Sequence, residues 1–350
     1  MAAYTTIDNP ELYFQCKIWT GTGSSNALTL DGDENMQPDF VWVKRRNSAG
    51  GHMLTDVIRG VTKTIITNET GAEQTFTNGL TAFGSDGFTV GSESGFNNSS
   101  DTFVAWCWKA GTAWSNDASA TSVGSLDSSG TKNATAGFSI ISFTGTESGT
   151  PSIAHSLSSP PEFIISKALE VTDNWMVFHG SFSAQDYIIL NTYGNTASAS
   201  SVWNSLPSST VINMGDNAGV NDDGDMIMYA WHSVQGFSKF GTYTGNGNVD
   251  GPFVYLGFRP AWVLFKRTAG AAANWQLWDN KRNSANAVNR SLLPDDSAAE
   301  QTDQDIDFLS NGFKIRSSAG HLNVDGTTFI YAAFAEAPFV NSKGVPANAR

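Results

Sequence analysis

Charge is scarce in this chain. Only 15% of the 350 residues are Asp, Glu, Lys or Arg, well under the usual quarter of a globular protein. The 20 basic residues are outnumbered by 33 acidic ones, for a formal net charge of −13. A duplex-binding face needs clustered Lys and Arg to neutralise phosphates. The sequence offers only Lys44-Arg45-Arg46 and Lys281-Arg282, so nucleic acid is not the expected partner, and the same acidity disfavours anionic membranes. No apolar run approaches the length of a bilayer span, so membrane insertion is not expected. The two cysteines, Cys16 and Cys107, form no metal spacing and are too few for a disulfide framework; both read as small buried hydrophobes. The opening stretch MAAYTTIDNPELYFQ lacks the charged and apolar regions of a signal peptide, so synthesis in a cytoplasm is expected. Helical periodicity is also missing: NSANAVNRSLL (283–293) comes nearest to a helix.

What is present is glycine, neutral polar residues and aromatics. The 34 glycines and 12% aromatic content suit a β protein with many turns. Short runs rich in Phe, Trp, Val, Ile and Thr are bounded by Gly, Asn, Asp and Ser, the pattern of strands. These runs repeat three times. FQCKIWTGTG (14–23), FSIISFTGTE (138–147) and FSKFGTYTGNG (237–247) each open a unit. Sixteen to eighteen residues after the turn threonine stands Pro38, Pro161 or Pro260, followed by a strand ending in Lys44, Lys167 or Lys266. GHMLTD, NWMVFH and NWQLWD take the next place, and FGSDGFTVG recurs as LSNGFKIR with only a loose TVINMG in the second unit. SDTFVAWCWK, GDMIMYAWHS and GTTFIYAAFA close the units and align without gaps.

The predicted architecture is all-β: three related β-sandwich-like modules of about 95–100 residues. The divisions are an N-terminal arm (1–13), modules at 14–110, 137–235 and 236–338, a Ser/Thr/Gly-rich linker (111–136) and a C-terminal tail (339–350). The near-continuous apolar runs predict strands buried on both faces, with the closing strand central. Proline cannot donate to a ladder and marks a strand start. The lysine is expected where the chain returns to water, its stem snorkelling along the surface.

Chemistry is harder to find. His52, His155, His179, His232 and His321 form no HExxH arrangement; His52 and His179 fall at related repeat positions, where Asp279 stands in the third unit. GSESG (91–95) centres on Glu93 and reads as a turn, and TGNGNVDGP (244–252) lacks the Lys-Ser/Thr of a phosphate loop. Acids gather at Asp31, Asp33 and Glu34, at Asp216, Asp222, Asp223 and Asp225, and at Asp295, Asp296, Asp303, Asp305 and Asp307. Nothing in their spacing sets two carboxyls across a cleft, so they read as solvated loop acids. Asp216, Asp222 and Asp225 are the only metal candidates, in a loop without the closing glutamate of a calcium site. No metal, cofactor or catalytic residue is expected. Trp114 and Trp203 lie in Ser/Asn-rich loops and are the ligand-binding candidates. Each could stack on a sugar face or plug a contact between units, and the plug is favoured.

The strings PDFVWVKRR, GHMLTDVIRG, FGSDGFTVG and NNSSDTFVAWCWKAG, with GFSIISFTGT and GFSKFGTYTGNGNVDGPFVYLGFRPAWVLFKR, resemble a repeat domain of unassigned function in virion proteins of marine and cyanobacterial tailed phages. The resemblance spans residues 13–340 or so. It implies a non-enzymatic virion component, a tail fibre or tail protein engaged in host attachment. The implied partners are other virion proteins, further copies of itself in a trimer, and a host-surface glycan or protein. A capsid decoration protein is the alternative, and a glycan depolymerase the weakest reading.

Overall fold

The computed structural model describes residues 4–302 and 306–348. Among the described residues nearly all regular structure is antiparallel strand, and the three α-helices, Ser94–Asn97, Ala118–Thr121 and Ala218–Asn221, are single turns. Three large sheets share one strand order. Opening strands Phe14–Thr20, Phe138–Thr144 and Ser238–Thr244 pair with closing strands Thr102–Trp108, Asp225–Trp231 and Thr328–Pro338. The closing strands pair on their other side with the proline strands Phe40–Arg45, Phe163–Ala168 and Phe258–Arg267. Fourth strands His52–Asp56, Met176–His179 and Gln276–Asp279 follow. The closing strand is thus central in each sheet. A smaller sheet covers each large one: Asn26–Leu28 with Gly87–Val90 and Leu80–Gly84, Ser152–Ala154 with Val211–Asn213, and Phe253–Tyr255 with Gly312–Ile315 and Ile306–Leu309.

Alternation along the proline strand explains its unbroken apolar run. Phe40 and Trp42 face a core shared by all three modules, whereas Val41 and Val43 face the small sheet of their own. Phe163 and Ile165 against Ile164 repeat the pattern. The shared core closes on equivalent positions Trp108, Trp231 and Phe334, with ring centroids 5.3–6.4 Å apart. The three modules therefore form one fused β body around a pseudo-threefold axis. The void left at the axis, about 10 Å³, is lined by three side chains from each module, too little for more than one water.

The register corrects two alignments. Thr20, Thr144 and Thr244 pair with Thr102, Asp225 and Thr328, so the second closing strand is offset by one residue from the gapless alignment. Phe40, Phe163 and Trp262 pair with Asp56, His179 and Asp279. Asp56, not His52, is the counterpart of His179, and His52 takes the place of Trp175 and Trp275.

The lysines also differ from expectation. Lys44, Lys167 and Lys266 are fully buried; none snorkels. Each ammonium donates to backbone carbonyls of its own module and of a neighbour. Lys44 Nζ reaches Ser297 O at 3.1 Å, Lys167 Nζ reaches Thr70 O at 3.1 Å, and Lys266 Nζ reaches Thr192 O at 3.4 Å. Module 1 thereby holds module 3, module 2 holds module 1, and module 3 holds module 2. Backbone bonds from Glu300 N to Arg46 O, Glu73 N to Leu169 O and Thr196 N to Thr268 O close the same three seams. Burial pulls each lysine down to about 8, with Arg45 adding to the effect at Lys44, and Asp173 and Asp222 opposing it at Lys167.

The Thr-Gly turn after each opening strand has a steric cause. A Cβ on Gly21, Gly145 or Gly245 would lie 2.0, 2.1 or 2.2 Å from the carbonyl oxygen of Asn98, Asp222 or Val324. That close approach is held by a buried asparagine in each module. Asn97, Asn221 and Asn323 accept from the N–H of Thr22, Thr146 and Asn246 at 2.8–3.0 Å. Their amides donate to the carbonyls of Gly91, Gly215 and Ser317.

Candidate functional site

Where three modules are alike, specific recognition belongs to the parts that differ. The largest difference lies at 111–136, expected as a linker. Its backbone instead forms strands Thr112–Asn116 and Ser128–Asn133, which pair with each other and with the opening strand Phe138–Thr144. The second large sheet is widened by two strands that the other two sheets lack on that side. Gly130 permits this, since a Cβ there would lie 1.8 Å from Ile140 O. Asp117 Oδ1 accepts from Ala120 N at 3.0 Å and Asp127 Oδ1 from Ala118 N at 2.8 Å, fixing the one-turn helix at the hairpin tip. Hydrogen bonds from Ser119, then Ala120, hold the Asp117 carboxyl below its usual range.

Two concavities flank the hairpin. One, of about 750 Å³, is bordered by Ser115, Asp117, Asp127, Ser129 and Ser142, with Phe143 in its lining. Ser115, Ser129 and Ser142 stand in register across three strands. The other, about 190 Å³, lies beside Trp114, Ser156, Leu157 and Thr210. Trp114 is half-buried against the second module's core, and its buried indole N–H has no hydrogen-bond partner. The larger groove thus offers hydroxyls and two carboxylates, and the smaller one an aromatic edge beside hydroxyls.

Trp203 does not join it. At 1% exposure it sits in the second module's core, edge-on to Phe178 at 6.1 Å; it plugs the module's own interior rather than a contact between units. Asp216 and Asp225 are exposed and Asp222 is buried. Among the described residues no group of three or more His, Cys, Asp or Glu is placed to hold a metal ion. Asp303 and Asp305 lie outside the described residues. Asp295, expected in solvent, is instead tucked under the third module, accepting from Trp275 N and Asn274 Nδ2 at 3.1 Å. Burial raises its carboxyl to about 7, against the pull of Lys266. His155 and His179 are lowered to about 4 by burial, which leaves both neutral at physiological pH. The cysteines are free and buried.

The residues that sequence reasoning missed are the seam groups. Asp56 binds Arg59 Nε at 2.6 Å and receives the Tyr229 hydroxyl of the next module at 2.7 Å. Asp279 likewise binds Arg282 and receives Trp106 Nε1 at 2.9 Å. The echo of DVIR in DNKR was the visible signal of this pair.

A family model matches most of the chain. The family described as a domain of unknown function (DUF7483) covers residues 9–338. No curated protein and no solved structure shows significant similarity to the chain.

Proposed function

The chain belongs to this family of unknown function, and we propose that it is a non-enzymatic surface component of a tailed-phage virion that takes part in host attachment. The supporting observation is a rigid pseudo-threefold body carrying one module-specific hairpin with its two grooves. Binding loops on a rigid scaffold are the usual means of surface recognition. The resemblance of the repeat strings to phage tail proteins supplies the setting. The threefold character expected of a fibre trimer is supplied here within one chain, so the body can seat on a threefold-symmetric partner without further copies of itself. The same symmetry favours a second reading, a capsid decoration protein resting on a threefold position of the shell.

Antibody labelling of virions, with quantification of copies per particle, tests both. Tail-end label at tens of copies supports the attachment reading. Hundreds of copies spread over the head favour decoration, and absence from purified particles refutes both.

A further inference from the structure

The three seams are built from equivalent positions, and one of them has been emptied. At the seam between modules 1 and 2, Arg59 is held by Asp56 and Glu73 and meets Tyr229. At the seam between modules 3 and 1, Arg282 is held by Asp279 and Glu300 and lies over Trp106. The sheet registers place the acid and lid positions between modules 2 and 3 at His179 and Ala332; the three-residue step from acid to guanidinium gives Phe182, and the seam backbone bond gives Thr196. The acid, the guanidinium, its second carboxylate and the aromatic lid are all replaced.

What remains is an open groove of about 380 Å³. Module 2 lines it with Phe182, Asp186 and Thr196, and module 3 with Thr242, Thr268 and Ile330. His179 is committed to structure: its Nε2 lies 3.2 Å from Tyr331 O, and its Nδ1 accepts from Ser181 N. Thr196 Oγ1 is buried and has no hydrogen-bond partner, although a buried hydroxyl normally finds one.

We propose that the seam between modules 2 and 3 is a binding site for a neutral polyhydroxyl ligand, a sugar residue, with its apolar face on Phe182 and its hydroxyls on Thr242, Thr268 and Asp186. Neutrality follows from the lining. The glutamate that would hold a guanidinium is Thr196 here, no Lys or Arg lines the groove to attract an anion, and Asp186 repels one. Hydroxyls beside one carboxylate and one aromatic wall match the alternating polar edge and apolar face of a pyranose. The site is separate from the hairpin grooves and does not depend on where the chain resides.

Saturation-transfer NMR on the full chain with glucose, galactose, mannose and N-acetylglucosamine tests it. At least one sugar is expected to bind with a Kd of about 1–10 mM. Phe182→Arg with Thr196→Glu restores the guanidinium and its second carboxylate, two of the four replaced positions, and is expected to weaken binding at least ~10-fold. Thr242→Val keeps the side-chain shape of an exposed groove residue, guards against a folding failure of the double variant, and is expected to weaken binding ~3-fold or more. No signal from any of the four sugars, or binding unchanged in folded Thr242→Val, overturns the proposal. Because the readout is binding by the isolated chain, its failure is distinct from absence of the chain from virions.

Discussion

Replacing Lys167 with Met tests the physical account of the seams. The wild-type ammonium donates to Thr70 O at 3.1 Å, Val171 O at 3.5 Å and Asp173 O at 3.0 Å. Leaving buried carbonyls without a donor costs about 1–3 kcal/mol, and at neutral pH relief of the ammonium's desolvation offsets part of that loss. The more decisive quantity is its pH dependence. Burial lowers the lysine from 10.5 to about 8 in the folded chain, so above that value the folded state releases a proton that the unfolded state still holds. The unfolded state then binds more protons, and stability rises with pH through this window. Full desolvation would give about 2 kcal/mol between about pH 7.5 and about pH 9.5; allowing for water reaching the seam, about 1–2 kcal/mol is expected. A neutral amine still donates two protons, so the contact survives deprotonation. Urea unfolding of wild type and Lys167→Met across that range isolates the term, because all other titrations cancel in the difference. The gap between the two proteins should widen as pH rises. A gap constant to within about 0.3 kcal/mol would refute a desolvated lysine at the seam.

Asn221→Ala removes an acceptor for Thr146 N and a donor to Gly215 O and should cost about 2–4 kcal/mol in urea unfolding; Asn221→Asp, which turns the buried donor into a carboxylate oxygen facing Gly215 O, should recover none of it. Gly145→Ala sets a Cβ 2.1 Å from Asp222 O and should lower stability by about 3 kcal/mol or more. Gly149→Ala has nothing within 4 Å and should cost only the positive-φ penalty of about 1–2 kcal/mol, and the difference between their melting temperatures checks the steric argument. Arg59→Met leaves the Asp56 carboxylate buried with Tyr229 as its remaining side-chain partner, a loss of about 3–5 kcal/mol by denaturant titration.

Strand type and order were legible because both leave periodic traces. The aromatic runs and their spacing marked the all-β modules, and the unbroken apolar stretch of Phe40–Val43 marked a strand buried on both faces. What the sequence hides is what lies beyond each strand's end. Lysine after a hydrophobic strand ordinarily reaches water. Lys44, Lys167 and Lys266 do not, because a neighbouring module's carbonyls wait there, and no local pattern announces a partner more than seventy residues away. Residues 111–136 were misread for the opposite reason. Ser, Thr and Gly predominate in linkers, yet an edge hairpin with hydroxyls on its outer face has the same composition. The polar neighbours of Trp203 suggest a loop residue that plugs a contact between units, while the ring itself turns inward onto Phe178 of its own module. Among the candidate binding residues, Trp114 alone combined a polar setting with access to a groove.

Fusion of three modules into one chain explains how one seam could diverge. A homotrimer of identical subunits has identical interfaces, and any substitution changes all three at once. Losing the buried Asp–Arg pair three times would strip the ring of much of its cohesion, since breaking such pairs is costly at each site. In a single chain the change falls once. Two seams keep their guanidinium, carboxylate and aromatic lid, all three keep the lysine and the backbone bond, and the aromatic axis continues to join every module. The third seam retains enough to stay closed along its length while its outer part opens into a groove. The hairpin follows the same logic: it widens only the second sheet and leaves the shared core untouched. Asymmetry is therefore concentrated at two places, the hairpin edge of the second sheet and the junction of module 2 with module 3, and recognition should be sought at each of them.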